Sequence, residues 1–240
     1  MLAAINGAVH RVLLVTYLFE TDKVGKAFAA ALADAQRRGV EVRVIVDGVG
    51  ELYSWPRMSP VLPRAGARGA RFLPPRLPPP SFSVNLRNHR KILVVDGEYG
   101  FTGGMNIGAR PLLEPRSRRA TADLHFRLQG AVVAQLEAIF AEDWRIATGE
   151  HLQAPPTTTA PAGAAYCRCI SDGPNEDLDK ISLVLMGAIS AAQREILIMT
   201  PYFLPSREMI ASLQSAALRG VAVTVILPRH SNLPFVDWAT

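Results

Sequence analysis

Val12 to Val46 reads VLLVTYLFETDKVGKAFAAALADAQRRGVEVRVIV, and its hydrophobic pattern changes period twice. The uncharged run Val12 to Val15 suits a strand buried on both faces. From Val24 to Arg38 apolar residues recur at helical spacing, and Gly39 follows as a helix stop. Val40, Val42, Val44 and Val46 then alternate as a second strand. A connection that contains a helix makes the two strands parallel, so the stretch predicts a βαβ unit and an α/β fold.

The pattern occurs twice. ALADAQRRGVEVRVIV (Ala31 to Val46) returns as SLQSAALRGVAVTVIL (Ser212 to Leu227) at an offset of 181, with eight of sixteen positions identical. VLLVTYLF (Val12 to Phe19) returns as ILIMTPYF (Ile196 to Phe203) at an offset of 184. A second βαβ unit is therefore expected over 196–227. Between the copies, QAPPTTTAPAGAA (Gln153 to Ala165) has no apolar periodicity and reads as a linker. The expected organisation is a lobe over 1–152, a linker over 153–165, and the first part of a second, pseudo-repeated lobe over 166–240. The second copy is not followed by the hundred or so residues of lobe that follow the first.

The chain has 240 residues, 49% of them hydrophobic and 20% charged, which excludes a disordered protein, a collagen-like fibre and a coiled coil. No run of uncharged apolar residues reaches the ~18 of a membrane span, the longest candidate being Ile181 to Ala192. Met1 to His10 has no basic, then apolar, signal-peptide pattern. Cys167 and Cys169 are too close in sequence for an easy disulfide and too few for zinc, so free thiols in a reducing compartment are expected. Formal net charge is +5, and eight basic residues without one Asp or Glu lie between Leu52 and Val95. Eight prolines, from Pro56 to Pro80, forbid a long helix there and predict an extended, arginine-presenting loop for an anionic partner.

The chemistry concentrates in NLRNHRKILVVDGEYGFTGGMNIG, Asn85 to Gly108. His89 and Lys91, two apart on an extended chain, share a face and can share one ligand. An ammonium that neutralises phosphoryl oxygens beside an imidazole that attacks phosphorus suits phosphoryl transfer. Ile92 to Val95 reads as the buried strand that holds the pair, and Asp96 ends it, placed to orient a ring or accept backbone N–H groups. Gly103 and Gly104 allow close approach of an anion, Asn106 offers an amide and Thr102 a hydroxyl.

This stretch resembles the HKD motif of the phospholipase D superfamily. With Val15 to Gly50, Leu124 to Trp144 and TPYFLPSREM (Thr200 to Met209), nearly the whole chain is similar to bacterial cardiolipin synthases of that superfamily. The resemblance implies a phospholipase D-like α/β/α sandwich and two HKD motifs facing each other, one histidine forming a phosphatidyl-enzyme and the other acting as general acid and base. It implies no metal and no cofactor. It also implies phosphatidylglycerol as donor, transfer to a second headgroup hydroxyl with release of glycerol, and work on an anionic membrane, peripherally, at the cytoplasmic face of the bacterial inner membrane. On that pattern His89, Lys91 and Asp96 are catalytic, and Asn106, Gly103, Gly104 and Thr102 bind the phosphate; no nucleic acid is expected.

Three features depart from the family: there is no N-terminal membrane hairpin, the tryptophan usual before D-x-H is replaced in RRATADLHF (Arg118 to Phe126), and there is no second HKD motif. The 181-residue offset carried from His89 and Lys91 points to about 270 and 272, past Thr240, so a truncated form of a two-motif enzyme, nearly inactive by itself, is expected. Two other readings fit the motif: a phosphodiesterase or nuclease whose site is completed by homodimerisation, and a non-catalytic fragment that binds anionic membrane. Outside the motif, Asp123 and His125 share a strand face at the border of the site, where an edge hydrogen bond is the expectation. His10, His125, His151 and His230 read as structural or surface groups, the glycines of DGVG (Asp47 to Gly50) as a weak phosphate loop, and the helix from Ala131 to Trp144 as core packing.

Overall fold

The computed structural model describes residues 1–64, 67–74, 87–112, 120–153, 162–172 and 180–229. Most of the linker over 153–165, the side chain of Arg64 and all of Arg76 lie outside the described residues.

The chain divides into two compact units, Met1–Cys169 and Ile170–Thr240. In the first, β1 (Arg11–Thr16) and β2 (Glu41–Asp47) are parallel neighbours joined by α2 (Lys23–Arg37). Asp22 caps α2 by accepting the Gly25 N–H at 2.9 Å, and Gly39, with φ +89°, turns the chain into β2. The βαβ reading of the sequence is what the backbone adopts.

Around this unit a six-stranded sheet is built in the order β3-β2-β1-β4-β5-β6, with β3 at Arg68–Phe72, β4 at Ile92–Val95, β5 at Tyr99–Gly103 and β6 at His125–Gln129. β3 is parallel to β2, whereas β4 is antiparallel to β1, and β5 and β6 continue antiparallel. Alternating side chains feed two cores. Val12, Leu14, Val42, Val44 and Leu93 pack with α1 (Leu2–Gly7), α2 and the one-turn α3 (Val61–Arg64). Leu13, Val15, Ile45, Ile92 and Val94 pack beneath α4 (Val132–Thr148), which contributes Val133, Leu136, Phe140 and Trp144. The result is the α/β/α sandwich that was expected, with α4 as core.

The arginine-rich segment corrects one expectation. Among its described residues it contains a 3-10 turn at Gly50–Tyr53, α3, and the edge strand β3, so it is not one extended loop. Proline forbids a long helix but tolerates a sheet edge, where Arg68 and Arg71 remain exposed.

The second unit holds α5 (Lys180–Ala191), β7 (Glu195–Met199), α6 (Arg207–Leu218) and β8 (Ala222–Ile226). β7 and β8 are parallel, so the repeat folds as a repeat. Cys169 closes the first unit, its N–H donating to Gln135 Oε1 of α4 at 2.9 Å. Both cysteines are free thiols. No helix among the described residues is long and apolar enough to cross a membrane.

Candidate active site

Strand direction gathers the site. Because β4 runs antiparallel to β1, with Ile92 opposite Val15, the residues entering β4 meet those leaving β1 and β2. His89 stacks on Tyr17, centroid to centroid at 4.2 Å and 16° between planes. The Lys91 ammonium lies 5.5 Å from the centroid of that same ring. Asn106 arrives from the turn after β5, and its Oδ1 accepts the Leu18 N–H at 3.1 Å, which leaves its NH₂ as the donor it can offer. His89, Lys91 and Asn106 therefore converge on the segment Thr16–Leu18.

Two anchors hold the histidine. Asp47, fully buried, accepts N–H groups from Val49 and Gly50 through Oδ1 and from Asn88 through Oδ2, each at 2.9 Å. Asn88 in turn accepts the Arg90 N–H at 3.0 Å, and the Arg90 guanidinium pairs with buried Asp143 of α4. The residues on either side of His89 are thus tied to β2 and to α4, which fixes the backbone that carries the ring.

Burial lowers the His89 pKa from its ordinary value, and the charges of Lys91 and Arg87 lower it further against the opposing pull of Asp47. The imidazole is therefore neutral at neutral pH, the form with a nucleophilic nitrogen. Burial also lowers the Lys91 pKa, opposed by Asp123 and Asp47.

The other expected site residues fall elsewhere. Asp96 stands at the opposite end of β4 from His89, with the whole strand, about 13 Å of extended chain, lying between them. Its carboxylate accepts N–H groups from Val9, His10 and Arg11 at 2.7–2.8 Å, so it acts as a backbone clasp between the end of β4 and the start of β1. Thr102 pairs with Ile92, whose side chain lies in the core under α4, so the alternation of β5 turns Thr102 to the face away from Lys91.

Gly103 and Gly104 do make room, but for protein. A Cβ at Gly104 would collide with the Asp123 carboxylate, and one at Gly103 with the Leu124 carbonyl and His125. The Gly104 N–H already donates to Leu124 O at 3.0 Å. The two glycines thereby let β6 bring Asp123 and His125 beside the site. His125 is neither a surface group nor the holder of an edge hydrogen bond: both its ring nitrogens are buried and lack a hydrogen-bond partner among the described residues. Burial lowers its pKa, opposed by Asp123, with Lys91 among the charges that add to the lowering.

Tyr17, Asp47, Asn88 and Arg90 were not singled out in the sequence as site residues. DGVG was read for its glycines, whereas its aspartate makes the contacts. A buried acid at a strand end, 41 positions before the residue it holds, leaves no local signal.

Comparison with known proteins fits this geometry. The family model described as "Cardiolipin synthase, PLD-like domain" matches residues 1–144 and 185–240. The cardiolipin synthase of Geobacillus kaustophilus is 33% identical over 245 residues, covering 99% of this chain and 48% of that protein. Cardiolipin synthase A of Pseudomonas putida is 38% identical over 233 residues, covering 96% of this chain and 48% of that protein. The chain spans about half the length of the curated relatives it matches. Among solved structures, phosphatidylserine synthase of Haemophilus influenzae shares the fold, with a TM-score of 0.64 at 15% identity over 94% of this chain and 58% of that one. A family match over most of its length, on a sheet that sets His89 and Lys91 against one ring, shows that the chain belongs to the cardiolipin synthase, phospholipase D-like domain family.

Proposed function

We propose that this chain supplies the nucleophilic half of a cardiolipin synthase-type phosphatidyltransferase, organised as a catalytic lobe over 1–152, a linker over 153–165 and the beginning of a second lobe from 166. The observation that carries the reading is the convergence of a neutral His89, the Lys91 ammonium and the Asn106 amide on Tyr17 and Leu18. A ring nitrogen of His89 attacks the phosphorus of phosphatidylglycerol. The N–P bond forms as the bond from phosphorus to the glycerol oxygen breaks, and that oxygen takes a proton from the opposing histidine of the two-motif arrangement. The hydroxyl of a second phospholipid headgroup then attacks phosphorus, gives its proton to the same histidine, and the N–P bond breaks. Lys91 and the Asn106 NH₂ stabilise the charge on the non-bridging oxygens, and Asp47 and Arg90 position the nucleophile. The working place is an anionic membrane surface, met peripherally from the cytoplasmic face.

General acid–base help is typically worth about 10²–10⁴-fold, so a chain carrying only the first motif is expected to trap phosphatidyl groups with little turnover. The test incubates it with phosphatidylglycerol labelled in the phosphatidyl part and isolates the protein. Label held on the wild type and absent from His89→Ala is the expected result. Fast turnover at rates independent of protein concentration would show that one motif suffices. Cleavage of single-stranded DNA that grows with the square of protein concentration, without lipid labelling, would replace this reading by a nuclease completed by homodimerisation.

A further inference from the structure

The segment that follows β2 has its polarity reversed. Glu51 is 2% exposed and its Oε1 accepts the Ser59 N–H at 3.1 Å, and Ser54 Oγ accepts the Thr21 N–H at 3.1 Å. Leu52, Tyr53 and Trp55 point the other way, 51%, 68% and 87% exposed. Buried Met58 and Leu62 fasten the segment to the core from its far side. An ordinary surface turn buries its apolar side chains and solvates its acid; one that does the opposite, over the five residues from Glu51 to Trp55, presents an apolar tip on a polar stalk.

The tip stands at the mouth of the site. Tyr53 lies 6.4 Å from Tyr17, the ring on which His89 stacks, and Gly50 packs so tightly on the Tyr17 backbone that a Cβ would overlap its carbonyl. We propose that Leu52, Tyr53 and Trp55 form an anchor that enters the interface of a phospholipid bilayer and holds it against the His89 cleft. Trp and Tyr, apolar bodies with a polar edge, favour the boundary between headgroups and acyl chains, and Leu adds aliphatic area. At that depth a lipid phosphate meets Lys91 without leaving the membrane. The anchor differs from attraction by arginines, which salt screens. It rests on reading the cleft as a phospholipid site, but it is tested by binding alone.

The experiment mixes the chain with vesicles of phosphatidylcholine containing phosphatidylglycerol, some brominated along the acyl chains, at low and high salt. The fluorescence difference between wild type and Trp55→Phe isolates Trp55 from the other two tryptophans. Expected are a blue shift of Trp55 and its quenching by brominated lipid, both persisting at high salt. The double variant Leu52→Ser/Trp55→Ser should lose at least about tenfold in vesicle partitioning at high salt, because two apolar side chains no longer leave water. Circular dichroism of that variant separates loss of the anchor from loss of fold, and Leu52→Ser alone, which keeps the reporter, should partition more weakly.

Emission unmoved by vesicles would overturn the anchor, as would binding that vanishes with salt. Self-association of the wild type without vesicle binding, abolished in the double variant, would also overturn it and make the tip a protein contact. A quenched Trp55 together with no phosphatidyl label on His89 would leave the anchor standing and remove the catalytic reading instead.

Discussion

The two copies of the βαβ unit share a sequence pattern and differ in what covers them. In the first, β1 and β2 are buried along almost their whole length. In the second, β7 and β8 alternate between packed and exposed residues. The packed face is the same in both: Ile196 and Val223 lie against α5 and α6 as Val12 and Val42 lie against α2. The other face is not. Carried by the repeat offsets, Leu13, Val15 and Ile45 correspond to Leu197, Met199 and Ile226; the first three sit in the core under α4 and the last three are exposed. A βαβ unit buries one face with its own helix, and the second face needs a helix from elsewhere in the lobe. Strands that read as continuously apolar anticipate that cover.

The chemistry diverges as well. Tyr17, the platform for His89, corresponds to Pro201, and Asp47, the acid that holds Asn88, corresponds to Pro228. The repeated signature thus marks the scaffold, and the supports of His89 occupy the positions where the copies part. The largest effect expected from this contrast is on stability. Leu13→Ala should destabilise the fold by about 2–5 kcal/mol, whereas its counterpart Leu197→Ala should stay within about 0.5 kcal/mol. Urea unfolding followed by circular dichroism measures both. Equal losses would mean that the exposed face of β7 is covered in solution.

Asp47→Asn is expected to come next. An amide keeps one acceptor oxygen but turns NH₂ toward backbone donors, and an unsatisfied buried group costs about 1–3 kcal/mol. The same change removes a charge that favours protonated His89, so the His89 pKa should fall further in an NMR titration. A histidine that titrates as in the wild type would sever the proposed link between β2 and the nucleophile.

How much of this was legible in the sequence follows the range of the interactions. The βαβ units, the βαβ boundary at Gly39 and the shared face of His89 and Lys91 all depend on neighbours within one element, and local pattern reports them. β3 was missed because RGARF has almost no alternation of its own and is a strand only through pairing with β2. Asp96 accepts backbone N–H groups, one of the two roles its place at a strand end offered it, and β4 sets it at the end away from His89. Tyr17, Asp143 and His125 reach the motif across 36 to 72 residues of chain, and no spacing announces such contacts.

Where the copies agree, a smaller and equal effect is expected. Gly39 and Gly220 end their helices with φ of +89° and +88°, and at neither would a Cβ meet an atom within 4 Å. Substitution by Ala therefore introduces backbone strain without collision, about 1–2 kcal/mol for a left-handed L-residue. Gly39→Ala and Gly220→Ala should each fall in that range, read as loss of hydrogen-exchange protection in their own unit. Loss at Gly39 alone would show that the second helix stop is not set by its glycine.

The smallest expected effect is the pH dependence that the supports of His89 impose. Its folded-state pKa lies below the ordinary 6.5, so around and below that pH the unfolded chain binds more protons than the folded one. Stability from this group is complete above the unfolded pKa and is lost as pH falls through 6.5 toward the folded value. His125, depressed by burial, acts with the same sign over the same window. Half-exposure of the His89 surroundings and salt screening keep the slope shallow. His89→Gln should flatten the decline in urea midpoint below pH 6.5, and His89→Gln/His125→Gln should flatten it further. Labelling by phosphatidylglycerol should fade over the same descent in pH, because the protonated ring has no nitrogen lone pair to attack with. If labelling instead held steady or rose as the ring gained its proton, a neutral His89 as nucleophile would be untenable, whatever the stability curve showed.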